Sequence, residues 1–193
     1  RYPEQTFFIN GALPHILSKY FGERLIHITT DCVFDGVENA PYDETSFKNP
    51  KDLYGLSKLL GEPSSKSLVL RTSIIGPELE GELSLLEWVK SQEGGAIIGY
   101  TNHYWNGLTT KQLAEVFSTI IEKRSTFPKT GLYHIFSSDI SKYALVNLIK
   151  KKYKLDIKIE GKKVSLIDRR LRTISPLRDV LAIPTIEKMI EEL

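Results

Sequence analysis

One cysteine, Cys32, has no partner for an internal disulfide, so packing alone must hold the fold and a reducing setting is expected. No apolar run approaches the roughly 20 residues that a bilayer crossing requires, which excludes a membrane-spanning helix. The opening R-Y-P-E-Q-T lacks the charged-then-apolar pattern of a secretory signal. A cytoplasmic location without membrane partners is the resulting expectation. Charge of one sign is also scarce. A formal net charge of +2 is too small for the whole molecule to bind nucleic acid through its field. Repeats and low-complexity tracts are missing, and no metal is expected.

What remains is the composition of a globular domain. The 193 residues are 41% hydrophobic and 26% charged, enough to bury a core. One stretch departs from the balance: residues 150 to 172 carry ten Lys or Arg against Asp156, Glu160 and Asp168. Short apolar runs alternate with amphipathic helical patterns, which predicts an α/β fold with a parallel sheet. Leu13, Ile16, Leu17 and Tyr20 share a helical face over residues 11 to 20, and Leu25 to Ile28 read as a buried strand running into the polar T-T-D. A turn-rich loop leads to N-P at 49 to 50 and a short helix around Tyr54, punctuated by Gly61 and Pro63. Leu68 to Arg71 make a second strand that ends in the hydroxyls of Thr72 and Ser73. Further helices are predicted at about 83 to 91, 110 to 123, 141 to 153 and 184 to 193, with strands at Ala96 to Ile98 and Leu132 to Phe136.

Polar residues at the C-terminal ends of strands are where open α/β sheets bind ligands. Tyr54 and Lys58 stand four residues apart, so they project from one helical face. A phenol titrates near ~10 and gives up a proton poorly at neutral pH; a neighbouring ammonium favours the phenolate. A hydroxyl from Thr30 can hydrogen-bond a substrate carbonyl against that phenol. The three together predict a carbonyl-reducing site, given a hydride donor opposite.

The Tyr-x-x-x-Lys spacing is common in itself, and its setting makes it specific. H-I-T-T-D-C-V-F-D-G, P-Y-D-E, N-P-K-D-L-Y-G-L-S-K-L-L-G-E and L-V-L-R-T-S-I-I-G follow one another between residues 27 and 76. In these motifs the chain resembles the extended short-chain dehydrogenase/reductase family, and within it the dehydrorhamnose-reductase branch of nucleotide-sugar enzymes. Looser likeness continues through G-L-T-T-K-Q-L-A at 107 to 114 and G-L-Y-H-I at 131 to 135.

The resemblance implies a C-terminal part of a Rossmann-type parallel sheet plus a smaller α/β substrate-binding lobe. Residues 1–76 would form the partial dinucleotide-binding unit and 77–193 mainly the lobe, with 107–124 packing back on the first unit. It implies Thr30 as the catalytic hydroxyl, Tyr54 as the proton donor, and Lys58 as the residue that binds the nicotinamide ribose and depresses the phenol. NADP or NAD would also meet Asn10, Thr29, Arg71, Thr72, Ser73 and Ile74. Asn10 reads equally well as a helix N-cap ahead of Leu13. Thr30, Asp31, Val33 and Phe34 fall on the implied substrate side. Cys32, where many relatives have tyrosine, reads as structural.

The implied reaction is reduction of the 4-keto group of a nucleoside diphosphate deoxysugar, in cell-surface polysaccharide precursor synthesis. Related dehydratases carry Thr-Asp-Glu, and Cys32 takes the glutamate's place here. An epimerase of the same family remains open. So does a non-catalytic binding protein on the same scaffold, like the regulatory subunit of methionine adenosyltransferase. His103 and Trp105, in G-Y-T-N-H-Y-W-N-G, are candidates for stacking on a base or sugar. Arg169, in R-R-L-R, is a candidate for the diphosphate. A homodimer is expected on base rate alone. The family's glycine-rich fingerprint does not occur in these residues and is expected upstream of Arg1, which would leave an unpaired strand edge in the segment given.

Overall fold

The computed structural model describes residues 2–79, 81 and 84–193. Helix α1 (Pro3–Phe7) starts with a proline, whose missing N–H costs nothing in a first turn. It continues through a π-helical turn, Phe8–Ala12, into α2 (Leu13–Phe21). Pro14 accounts for the widened turn: it has no N–H for the carbonyl of Asn10 and its ring crowds that position. The N-cap reading of Asn10 is therefore corrected, because the helix is already running when the chain reaches it.

Strand β1 (Ile26–Thr30) is followed by α3 (Leu53–Leu60) and by β2 (Leu68–Thr72). β1 and β2 pair in parallel from Ile26 with Leu68 to Thr30 with Thr72, so both present hydroxyls at the same end of the sheet. Beyond them run β3 (Ile74–Ile75), α4 (Leu85–Ser91), β4 (Ala96–Tyr100), β5 (His103–Trp105), β6 (Leu108–Thr109) and α5 (Thr110–Glu122). The predicted helix start at 83 lies outside the described residues. β7 (Gly131–His134) returns to the first sheet and pairs with β2 in parallel. β8 (Ile140–Ser141), α6 (Lys142–Tyr153), β9 (Lys158–Lys162), β10 (Ile167–Asp168), α7 (Leu177–Val180) and α8 (Ile186–Glu191) complete the order.

The main sheet runs β1-β2-β7. A second runs β10-β5-β8, and the pairs β3-β6 and β4-β9 stand beside them. The α/β class and the parallel pairing follow the alternation in the sequence. The predicted helix at 184 to 193 is shorter, and β9, β10 and α7 were not foreseen. β9 reads K-I-E-G-K, with charge on a mostly exposed strand, so no buried apolar run announces it. β2, buried at all five residues, is the centre of the core, where Leu68 and Leu70 pack with Leu108, Ile120, Ile135 and Ile149.

Candidate active site

The site is built where β1 ends. Residues Asp31–Val33 make a 3-10 turn in which the Thr30 hydroxyl accepts the Cys32 N–H at 3.1 Å. Helix α3 is seated against this turn. Its N-terminus is capped by Asp52, which accepts the Gly55 N–H at 2.7 Å. A β-carbon on Gly55 would stand 2.3 Å from the Cys32 carbonyl oxygen, so glycine is what lets the Tyr54 helix come this close. Ser57 donates to the Tyr54 carbonyl at 2.9 Å, and Asn10 Nδ2 donates to the Ser57 hydroxyl at 3.2 Å. Asn10 thus reaches the site through Ser57 and holds the helix rather than a ligand.

Lys58 Nζ donates to the Ile28 carbonyl at 2.8 Å. An ammonium has three donors, so this leaves two for a ligand, and Lys58 enters no ion pair among the described residues. Burial pushes its pKa down. Tyr54 is 49% exposed. Burial of its phenol raises the pKa, and the Thr30 hydroxyl beside it pulls the other way. The expected depression by Lys58 is therefore corrected: the ammonium is turned to the strand carbonyl. Thr29, one residue back on β1, has a buried hydroxyl with no partner among the described residues.

A cavity of about 530 Å³ begins one residue beyond Thr30. Asp31, Cys32, Ser73, His103, Trp105 and Arg169 are among the residues that line it. Thr30, Tyr54 and Lys58 are not part of its lining. The Asp31 carboxylate accepts the Thr30 hydroxyl at 3.2 Å, and its burial raises its pKa while Arg169 and Lys142 oppose that. Cys32, read from sequence as structural, lines the cavity and accepts Arg169 Nη1 at 3.4 Å. Burial and the Asp31 carboxylate push its thiol up, so it stays protonated.

Several predicted residues are placed elsewhere. Val33 and Phe34 are wholly buried, with Phe34 stacked on Tyr42 at 4.2 Å between centroids. They are core, since the 3-10 turn folds its apolar side chains inward, and the substrate assignment is corrected. Arg71 is fully buried and paired with Glu62 at 2.7 Å, with Nη1 2.7 Å from His134 Nε2. Its side chain is consumed by these partners, which corrects the cofactor assignment. Thr72 is buried and donates to the Ser73 carbonyl at 3.3 Å. Ser73 and Ile74 line the cavity. His103 donates to the Ser165 carbonyl at 3.0 Å. Trp105 is only 5% exposed and has the Lys142 ammonium over its ring, so it is not free to stack a base.

Breaking the Arg71–Glu62 pair takes the bidentate partner from a largely buried carboxylate. Arg71→Met is expected to lose about 3–5 kcal/mol in urea denaturation, and the double change with Glu62→Met to recover part of that. Equal losses in the single and double variants would show that the ion pair is not the cause.

The profile of the RmlD substrate binding domain matches residues 4–175. The spore coat polysaccharide biosynthesis protein SpsK of Bacillus subtilis is 29% identical over 147 residues, 71% of this chain and 50% of that protein. Methionine adenosyltransferase 2 subunit beta of Danio rerio is 47% identical over 64 residues, 31% of this chain and 20% of that protein. The chain thus spans half or less of the length of these curated relatives. Among solved structures, a hypothetical dTDP-4-dehydrorhamnose reductase from Sulfolobus tokodaii superposes with a TM-score of 0.75 at 28% identity, over 95% of this chain and 69% of that one. A dTDP-4-dehydrorhamnose reductase from Bacillus anthracis, solved in complex with NADP, has a TM-score of 0.75 at 19% identity, over 98% and 73% of the two chains. At that identity the likeness is one of fold.

Proposed function

Since this chain belongs to the RmlD substrate binding domain family, we propose that its protein is an NAD(P)H-dependent reductase of the 4-keto group of a nucleoside diphosphate deoxysugar. It would serve cell-surface polysaccharide precursor synthesis in the cytoplasm. The observation that carries this reading is the seating of Tyr54 and Lys58 against the Thr30 turn, beside a cavity of sugar-nucleotide size. The names of its relatives support it: a polysaccharide biosynthesis protein and dTDP-4-dehydrorhamnose reductases.

The residues fit a nicotinamide cofactor. Lys58 keeps two donors for ribose hydroxyls and the Thr29 hydroxyl is buried without a partner. A bound NAD(P)H supplies the hydride. Thr30 orients the substrate carbonyl, and Tyr54 passes its phenolic proton to the carbonyl oxygen as charge develops there. Asp31, Ser73, Ile74, His103 and Arg169 form the substrate and cofactor wall, with Arg169 facing the diphosphate.

Cofactor oxidation by the full-length protein with 4-keto nucleotide sugars tests the reading. Turnover supports it; no oxidation with any such sugar would defeat it. The 47% identity to a methionine adenosyltransferase subunit favours a second reading, a binding subunit on this scaffold. A stoichiometric partner enzyme without turnover would select it. Mass measurement in solution tests the expected homodimer.

A further inference from the structure

Lys142 lines the cavity, and no sequence motif marks it. It opens α6, whose N-cap Ser141 accepts the Ala144 N–H at 3.2 Å, and its side chain lines the cavity. The ammonium lies 5.3 Å from the centroid of the Trp105 ring. It enters no hydrogen bond and no ion pair among the described residues. Lys142 is half-buried, and a charge held there without a counter-ion is costly, because a ring face returns only part of the lost hydration. A methionine would cover Trp105 without that cost.

The neighbouring charges sharpen the point. In the basic tract, Arg170 pairs with Asp168 at 2.6 Å and Arg172 with Asp139 at 2.6 Å. Among the described residues Arg169 pairs with no carboxylate and its buried Nε has no partner; its stem packs at Gly36, where a β-carbon would meet Cγ at 2.9 Å. Lys142 and Arg169 therefore face the same cavity from two elements. The carboxyl in electrostatic reach of both is Asp31, which burial disfavours as an anion. Glu78 also lines the cavity and is itself engaged. The cavity lining thus brings two cations, Lys142 and Arg169, together with the carboxyls of Asp31 and Glu78.

We propose that Lys142 is a ligand-binding residue whose ammonium, held over Trp105, pairs with an oxyanion of the nucleotide sugar, its diphosphate or a carboxylate on its ring. The inference rests on the nucleotide-sugar reading for its ligand class, and its test uses neither cofactor nor turnover. Calorimetric titration of the protein with inorganic pyrophosphate, dTDP and glucuronate separates the two sources. Pyrophosphate or dTDP binding points to the diphosphate, and glucuronate binding alone to a ring carboxylate. Lys142→Met is expected to weaken the binding probe by about tenfold or more, Lys142→Arg to keep most of it, and Lys151→Met, on the exposed side of α6, to change nothing. Lys142→Met is also expected to melt at the same or a higher temperature than the parent. Three results would overturn the proposal: no probe binding at millimolar concentration, unchanged binding in Lys142→Met, or an equal loss in Lys151→Met. Anion binding that depends on Lys142 in a protein that reduces no 4-keto sugar would sink the reductase reading and leave this one standing. Turnover that survives with anion binding indifferent to Lys142 would do the reverse.

Discussion

Tyr54→Phe is expected to lower turnover with NAD(P)H and a 4-keto nucleotide sugar by about a thousandfold, with KM changed only a few-fold, because proton donation typically contributes ~10²–10⁴. The substitution removes one oxygen and leaves the Asp52 cap, the Gly55 contact and the Ser57 bond in place, so the fold is untouched. The pH profile adds a second readout. A donor works in its protonated form, below its pKa, and burial holds the Tyr54 phenol above its ordinary value. Reduction is therefore expected to stay level through neutral pH and to fall only above the ordinary range of a phenol. An alkaline limb near neutrality would mean that Lys58 leaves the Ile28 carbonyl and depresses the phenol in the working enzyme. A Tyr54→Phe protein that turned over like the parent would remove Tyr54 from the reaction altogether.

The motifs that point to a site in the sequence are mostly architectural in the structure, and this explains the corrections. Thr30, Tyr54 and Lys58 were readable because helical period and strand ends dictate where side chains go, and the structure seats their elements together. Asp35-Gly36, Tyr42 and Asn49 belong to the same quoted pattern, yet they bond to one another. Tyr42 donates to Asp35 at 3.0 Å and Asn49 Nδ2 to Asp35 at 2.6 Å, which fixes the loop. These contacts hold the Asp35 carboxyl down at about 2. Val33, Phe34 and Arg71 were misassigned for the same reason: a motif marks residues that matter without distinguishing those that pack from those that touch a ligand. Lys142 was missed because its environment comes from β5, β1 and the 169 region, more than 25 residues away in sequence on every side. No local pattern can announce a cation whose neighbours are all distant.

Two buried histidines make acid stability the other large effect. His27, on β1, is held at a pKa of about 4 by burial, by Lys58 and by His15, and its Nε2 has no partner. His134 is also held at about 4, by burial and by Arg71. Its Nδ1 donates to the carbonyls of Arg172 at 2.8 Å and Tyr42 at 3.2 Å, which makes Nε2 the acceptor for Arg71. Both rings are neutral when folded, whereas the unfolded chain takes up protons below ~6.5. Their contribution is thus complete above that pH and is lost as the pH falls toward the folded value. At about 1.4 kcal/mol per unit for each ring, the loss reaches on the order of 7 kcal/mol by pH 4, comparable with the whole stability of a domain. Asp31 acts in the opposite sense, because its raised pKa lets the folded state gain a proton first and softens the slope. Urea midpoints are expected to be level from pH 8 to about 6.5 and then to drop steeply, with His27→Leu keeping about half of the dependence. A midpoint unchanged down to pH 5 would show that the rings find compensating partners when protonated, and that the two sites are not neutral, closed environments.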